Sequence, residues 1–147
     1  MARKRILLAT DFSSASRAAF AQAVGLARRD RTPLLVLHVM SPPTALVADA
    51  YLTPAVWDQL ARSQRATTQR KLDALVTKAK RAGARARGLL LEGAPSERIL
   101  KAARSQRAGL IVVGTHGRTG VARFFLGSVA SRVVAGAHCP VLSVRGR

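Results

Sequence analysis

The residues of this chain best suited to chemistry lie between Gly114 and Val129. Gly114-Thr115-His116-Gly117 follows the apolar run Leu110-Ile111-Val112-Val113, and after nine further residues comes Gly127-Ser128-Val129. A strand that ends in glycines and reopens as a helix at Gly-Ser suits an anion. Glycines let the backbone approach a ligand, and the N–H groups of a helix start face negative charge with the dipole behind them. The anion this arrangement fits is the phosphate chain of a nucleotide.

Such a loop works only if regular elements hold it in place, and alternating strand and helix signals run through the sequence. Ile6 to Ala9 reads as a short strand. Thr10-Asp11-Phe12-Ser13-Ser14 supplies caps for an alanine-rich helix with Phe20, Val24 and Ala27 at helical spacing. Leu34 to Val39 is a continuous apolar run, the pattern of a strand buried on both faces. Residues 42–54 read as loop. A long helix is expected from Pro54 to Ala82, with Val56, Leu60, Leu72, Leu75 and Ala79 on its inner face and Gly83 as its stop. Arg85 and Arg87 alternate with small residues before an apolar run, as at a sheet edge. Pro95 opens a helix with Ile99, Leu100 and Ala103 inward. The strand Leu110–Val113, a helix from Ser128 to Ala135 and a last strand, Val141–Val144, complete the series.

Five strands joined by helical crossovers predict an α/β fold: one doubly wound sheet of five parallel strands, order 3-2-1-4-5, with helices on both faces. Ligands of such sheets bind at the carboxyl ends of the strands where the order reverses, here between Asp11 and Gly114. Two separately read features therefore converge on one crevice.

The 147 residues predict a single domain spanning 1–147, and the 48% hydrophobic content predicts a packed core. No apolar stretch approaches a membrane span. The basic, then apolar, start is interrupted by Asp11 too early for a signal peptide, which predicts a cytoplasmic protein. One cysteine, Cys139, excludes a disulfide framework and a cysteine-rich metal site. The formal net charge of +18 predicts nonspecific adhesion to nucleic acid at low salt. Basic residues scatter along the whole chain, however, and aromatics are few, so no specific nucleic-acid site is evident.

The Gly114, Gly117, Gly127 and Ser128 spacing matches Gly-x2-Gly-x9-Gly-Ser/Thr, and in this the chain resembles the ATP-binding branch of the universal stress protein family. The opening Ile6 to Ser13, the His38-Val39 strand end, the Gly93-Ala94-Pro95 turn and the closing Cys139-Pro140-Val141-Leu142 extend the likeness over nearly the whole chain. The resemblance implies an adenine nucleotide alpha hydrolase-like fold and ATP as ligand, with Mg²⁺ able to accompany the triphosphate. It implies that Asp11 hydrogen-bonds the adenosine part and that Ala9, Thr10, Val39 and Val113 line the adenine and ribose pocket. Gly114, Thr115, His116, Gly117 and Arg118 would wrap the phosphates, closed by Gly127, Ser128 and Val129. The family often has proline or valine where this chain has Ala9, which implies a looser pocket wall. It also implies a homodimer, consistent with the uncharged Val141–Val144 strand at an open sheet edge.

Each candidate also has a structural reading. Asp11 and Ser128 can serve as helix caps, His38 and His138 as core polar groups, and Cys139 as a small buried hydrophobe. No Gly-x4-Gly-Lys-Ser/Thr loop and no Gly-x-Gly-x2-Gly follows the first strand, and no second carboxylate stands near the crevice. A regulatory module that holds ATP is therefore the first expectation. A weak ATPase, or self-phosphorylation on Thr115, Thr119 or Ser128, is the alternative, and a basic nucleic-acid-associated protein the second.

Overall fold

The computed structural model describes residues 4–42, 53–115 and 126–146. Five strands alternate with four helices: β1 (Arg5–Ala9), α1 (Ser14–Arg29), β2 (Leu34–Met40), α2 (Pro54–Arg81), β3 (Ala86–Glu92), α3 (Pro95–Ser105), β4 (Ala108–Gly114), α4 (Ser128–Gly136) and β5 (Val141–Val144). All neighbouring strands run parallel, in the order β3-β2-β1-β4-β5. The strand order read from the sequence is the one observed.

Side chains alternate across each strand, so the central strands feed two cores. Ile6, Leu8, Leu34, Val36 and Val112 pack with Ala19, Phe20 and Ala23 of α1 and with Leu72 and Ala79 of α2. Leu7, Leu35, Leu37, Ile111 and Val113 pack on the other face with Ile99, Ala102 and Ala103 of α3 and Ala130 and Val133 of α4. A strand apolar on both faces is what a sheet covered by helices requires.

One sequence expectation fails in α2. Its inner stripe was expected to begin at Val56 and Leu60, yet these are 39% and 46% exposed, and the only buried α2 residues are Leu72 and Ala79. Length explains the difference. A helix of 28 residues is about 42 Å long, whereas the seven residues of β3 span only about 23 Å. The first turns of α2 overhang the sheet and find nothing on it to pack against.

Gly114 has a packing role that its motif does not announce. A Cβ there would lie 3.2 Å from the Ala15 carbonyl carbon and oxygen and 3.3 Å from the Ser16 nitrogen. The bare Cα lets the first turn of α1 seat against the end of β4, a close approach of backbone to backbone. Gly146 meets the same turn, with a Cβ position 2.8 Å from the Ala15 Cα. Gly25, inside α1, has nothing within 4 Å of its Cβ position.

These glycines make opposite predictions. Gly114→Ala should destabilise the protein by about 1–3 kcal/mol, because helix backbone cannot yield as a side chain can. Gly25→Ala should stabilise it by about 0.5–1 kcal/mol through lower unfolded-state entropy. Urea denaturation of the two variants checks both signs.

Candidate functional site

The carboxyl ends of the central strands open into a cavity of about 510 Å³. Ala9 ends β1 and Thr10 and Asp11 follow it, Val39 comes from β2, and Val113 and Gly114 end β4 with Thr115 after them. Gly127, Ser128, Val129 and Ala130 supply the start of α4. The crevice therefore sits at the β1/β4 switch point, where the winding direction reverses. His116, Gly117 and Arg118, expected at the same site, lie outside the described residues, as does Thr119.

Asp11 is held by α1. Its Oδ1 accepts the Ser13 N–H at 2.9 Å and the Ser16 hydroxyl at 2.5 Å, and its own N–H donates to Ser16 Oγ at 3.2 Å. Partial burial pushes the carboxyl pKa up. The hydrogen bonds from Ser13 and Ser16 oppose this and together hold it below the ordinary value of 3.8. The N-cap of α1 is Ser13, whose hydroxyl accepts from the Ser16 N–H, so Asp11 is one step removed from capping.

Thr10 and His38 fix the floor. The Thr10 N–H donates to the Leu37 carbonyl at 2.9 Å, and His38 Nδ1 lies 2.7 Å from the Thr10 carbonyl. A carbonyl only accepts, so the Nδ1 proton is assigned to this bond. The imidazole also stacks on Phe12, ring centroids 4.5 Å apart. Phe12 adopts a left-handed φ of 62°, a conformation a bulky residue holds only when its surroundings enforce it. The stack and the Phe12 N–H bond to Thr10 Oγ1 supply that restraint. His38 is thus anchored within the lining of the crevice.

Thr115 is the tie of the site. Its N–H donates to the Val144 carbonyl at 3.0 Å, and its carbonyl accepts the Gly127 N–H at 2.7 Å. One residue thereby joins β4, β5 and the start of α4. Its Oγ1 is buried without a hydrogen-bond partner among the described residues, and a buried hydroxyl in that condition calls for an acceptor or donor from outside.

The backbone of Gly127 is not left-handed. Its φ of −56° and ψ of 156° are open to any residue. Its N–H is occupied by Thr115 and its carbonyl accepts from Ser131. No side chain caps α4, so the N–H groups of Ser128, Val129 and Ala130 are the first-turn donors left for an anion.

Sequence reading missed several lining residues. Ser16, Pro95 and Ile99 all reach the cavity. Pro95 and Ile99 carry only helix-start and core signals. The Asp11–Ser16 bond joins a loop to a helix turn, a pairing that no short motif announces. His138 and Cys139 are not among the lining residues; Cys139 is half-buried and burial raises its thiol pKa, against a lowering by Lys4, which leaves it a poor nucleophile.

These features define an α/β protein of the doubly wound class with its ligand crevice at the switch point and an uncapped helix start facing it. The family model of the universal stress protein family matches residues 2–145, and the chain belongs to that family. It is 38% identical over 142 residues to a universal stress protein of Thermus aquaticus, covering 97% of this chain and 98% of that one. The solved structure of the universal stress protein UspA from Lactobacillus plantarum superposes with a TM-score of 0.79 at 29% identity, covering 99% of this chain and 100% of the other. A universal stress protein solved in complex with cAMP matches with a TM-score of 0.71 at 25% identity over the full length of both chains.

The Asp11 network has a testable pH signature. A carboxyl whose pKa is lowered by folding adds stability above its unfolded pKa, and that stability is lost as the pH falls through the folded value. Asp11→Ala should cost on the order of 1 kcal/mol at neutral pH. Urea midpoints of the variant and the parent should converge in strong acid; a gap independent of pH would show that the carboxylate does not hold α1.

Proposed function

We propose that this protein binds ATP in the crevice between β1 and β4 and holds it with little or slow turnover, as a regulatory module. One observation carries the reading: the start of α4, without a side-chain cap among the described residues, opens on a cavity whose other wall is apolar. A nucleotide has both parts, a phosphate chain for the first and a base for the second. The cavity of about 510 Å³ lies within the usual range of small-molecule sites. The relative solved with cAMP supports an adenine nucleotide as the ligand class.

In this reading the base lies against Val39 and Val113, beside the small Ala9, and Asp11 and Thr10 face the ribose. The first-turn N–H groups of α4, the Ser128 and Thr115 hydroxyls and the Gly114 backbone receive phosphate oxygens, with His116, Gly117 and Arg118 expected to close over them. Mg²⁺ would supply charge neutralisation on the triphosphate. Among the described residues no cluster of three His, Cys, Asp or Glu could hold a metal, so the ion would be carried by the nucleotide.

Slow turnover follows from the acid–base groups. Asp11 is the one carboxylate lining the cavity among the described residues, and it is held ionised by hydrogen bonds that stabilise its charge. Such a group is a weak general base. The Thr115 hydroxyl, near where phosphates would lie, is the specific feature that favours self-phosphorylation as a second reading.

β5 lies at the sheet edge, and Val141–Val144 are uncharged and half-buried. We infer that it pairs with the same strand of a second copy in a two-fold dimer.

Calorimetric titration with ATP tests the site. Gly127→Val should lower affinity on the order of tenfold or more. Because its backbone is compatible with valine, circular dichroism should be unchanged, and loss of binding would report ligand contact rather than unfolding. Undiminished affinity would refute the assignment. Asp11→Ala should weaken binding by roughly 1–3 kcal/mol. In a multiple-turnover assay the nucleotide should be recovered intact; sustained hydrolysis would establish an enzyme, and radiolabel retained on the protein but absent from Thr115→Val would establish self-phosphorylation. Light scattering at micromolar concentration should give the mass of two chains, and a monomer mass would overturn the dimer.

A further inference from the structure

The basic residues look scattered in the sequence, but the fold gathers many of them at one end. In a parallel sheet every strand starts at the same end, and the antiparallel-running helices finish there. Lys4 and Arg5 stand at the start of β1, and Arg28, Arg29 and Arg31 at the end of α1. Lys78, Lys80 and Arg81 close α2, Arg85 and Arg87 begin β3, and Arg104 and Arg107 bracket the end of α3. All except the half-buried Arg5 are exposed.

Hydrogen bonds and packing contacts tie these residues together across the elements. Arg5 donates to Gln106 Oε1 at 2.8 Å, and Arg87 donates to the same oxygen, so two guanidiniums from strands flanking β2 meet on one amide. Arg85 donates to the Arg31 carbonyl at 2.7 Å. The Arg28 side chain lies over Gly83, and that of Lys4 over Gly109.

Carboxylates are segregated the other way. Asp30 is at this end and is taken up by Arg29 in an ion pair at 2.7 Å. Asp11, Glu92 and Glu97 lie at the carboxyl ends of strands or in the first turn of α3, Asp58 in the first turns of α2, and Asp73 within α2. Asp49 falls outside the described residues.

Arginine even occupies positions that resist it. Arg31 and Arg107 each follow a helix end with φ of 49° and 53°, where glycine fits without strain; the matching residue after α2 is Gly83 with φ of 92°.

We propose that this end of the molecule is a docking face for the phosphate backbone of double-stranded nucleic acid, bound without sequence preference. Arginine prevails over lysine on it, and its planar fork pairs with phosphate oxygens bidentately. The outer strands of a five-stranded sheet are about 19 Å apart, enough to meet many phosphates of a duplex that presents one charge per about 1.7 Å of axis. Among the described residues no aromatic ring is exposed on this face: Phe20 is buried beneath Lys78, Phe12 packs on His38, and Trp57 is in the first turn of α2. Base stacking on a single strand therefore has no platform here. Of the exposed large hydrophobics, Val134 alone ends a helix on this side, too little to enter a bilayer.

The test compares two variants of equal net charge, both made at exposed sites. Arg81→Gln with Arg85→Gln and Arg104→Gln removes charge from the face; Arg62→Gln with Arg65→Gln and Arg70→Gln removes as much from the body and overhang of α2. Anisotropy of a labelled duplex of about 20 bp is followed from about 50 to 200 mM salt, alongside thermal midpoints to confirm folding. The first variant should lose affinity on the order of tenfold or more and reduce the log–log salt slope by about three, while the second leaves both near the parent. Equal losses in the two variants would mean that net charge alone acts and would overturn the face. So would absence of duplex binding at the lowest salt, or retention by phosphatidylglycerol vesicles with no duplex binding, which would make the partner a membrane.

Discussion

The polarity of the sheet is the constraint from which the rest of this structure follows. Five parallel strands force every crossover helix to run back the opposite way, so one end collects strand carboxyl ends and helix starts, and the other collects strand starts and helix finishes. Helix starts carry partial positive charge and unsatisfied donors; helix ends carry the reverse. The crevice and the arginine-rich face are the two chemical consequences of this single geometric fact.

At the crevice end, two small networks turn that polarity into a defined cavity. Ser13, Ser16 and Asp11 lock the turn between β1 and α1, and Gly114 and Gly146 admit the backbone of Ala15. Thr115 then ties β4 to β5 and to α4 through its two backbone groups. The donors of α4 remain open because Gly127 has no side chain with which to cap them. A serine or aspartate at that position would fill the site's own anion-binding groups with a protein oxygen.

Much of this is legible in the sequence, for identifiable reasons. The runs at Leu34–Val39 and Leu110–Val113 are apolar without alternation, which announces strands covered on both faces, and the arginines before Gly88 announce an edge. The carboxyl-end location of Asp11, Val39, Val113, Gly114 and Gly127 follows from topology once the strand order is known. What the sequence cannot reveal depends on length matching and on contacts between distant elements. Val56 and Leu60 carry helical periodicity, but only the sheet's extent decides that they overhang it. Gly114 and Gly127 look alike in the motif, yet one is demanded by the Ala15–Ser16 backbone and the other is not constrained in φ. The same blindness hides the basic face: Arg5, Arg31, Arg87 and Arg104 are distant in sequence and adjacent only through the winding of the sheet.

The two ends can act independently because of the distance between them. A seven-residue strand spans about 23 Å, more than twice the Debye length of about 8–10 Å at physiological ionic strength. Cations at the far end therefore contribute little to the potential at the crevice, where the nearby groups are the first-turn N–H groups of α4 and the hydroxyls beside them. The polarity of the sheet also explains how the fold tolerates so much like charge. Cations at helix ends meet the negative pole of the dipole, worth about 0.3–1 kcal/mol each at the surface, and this offsets part of their mutual repulsion. Placed at helix starts, the same arginines would oppose the dipoles and compete with the groups that face the crevice.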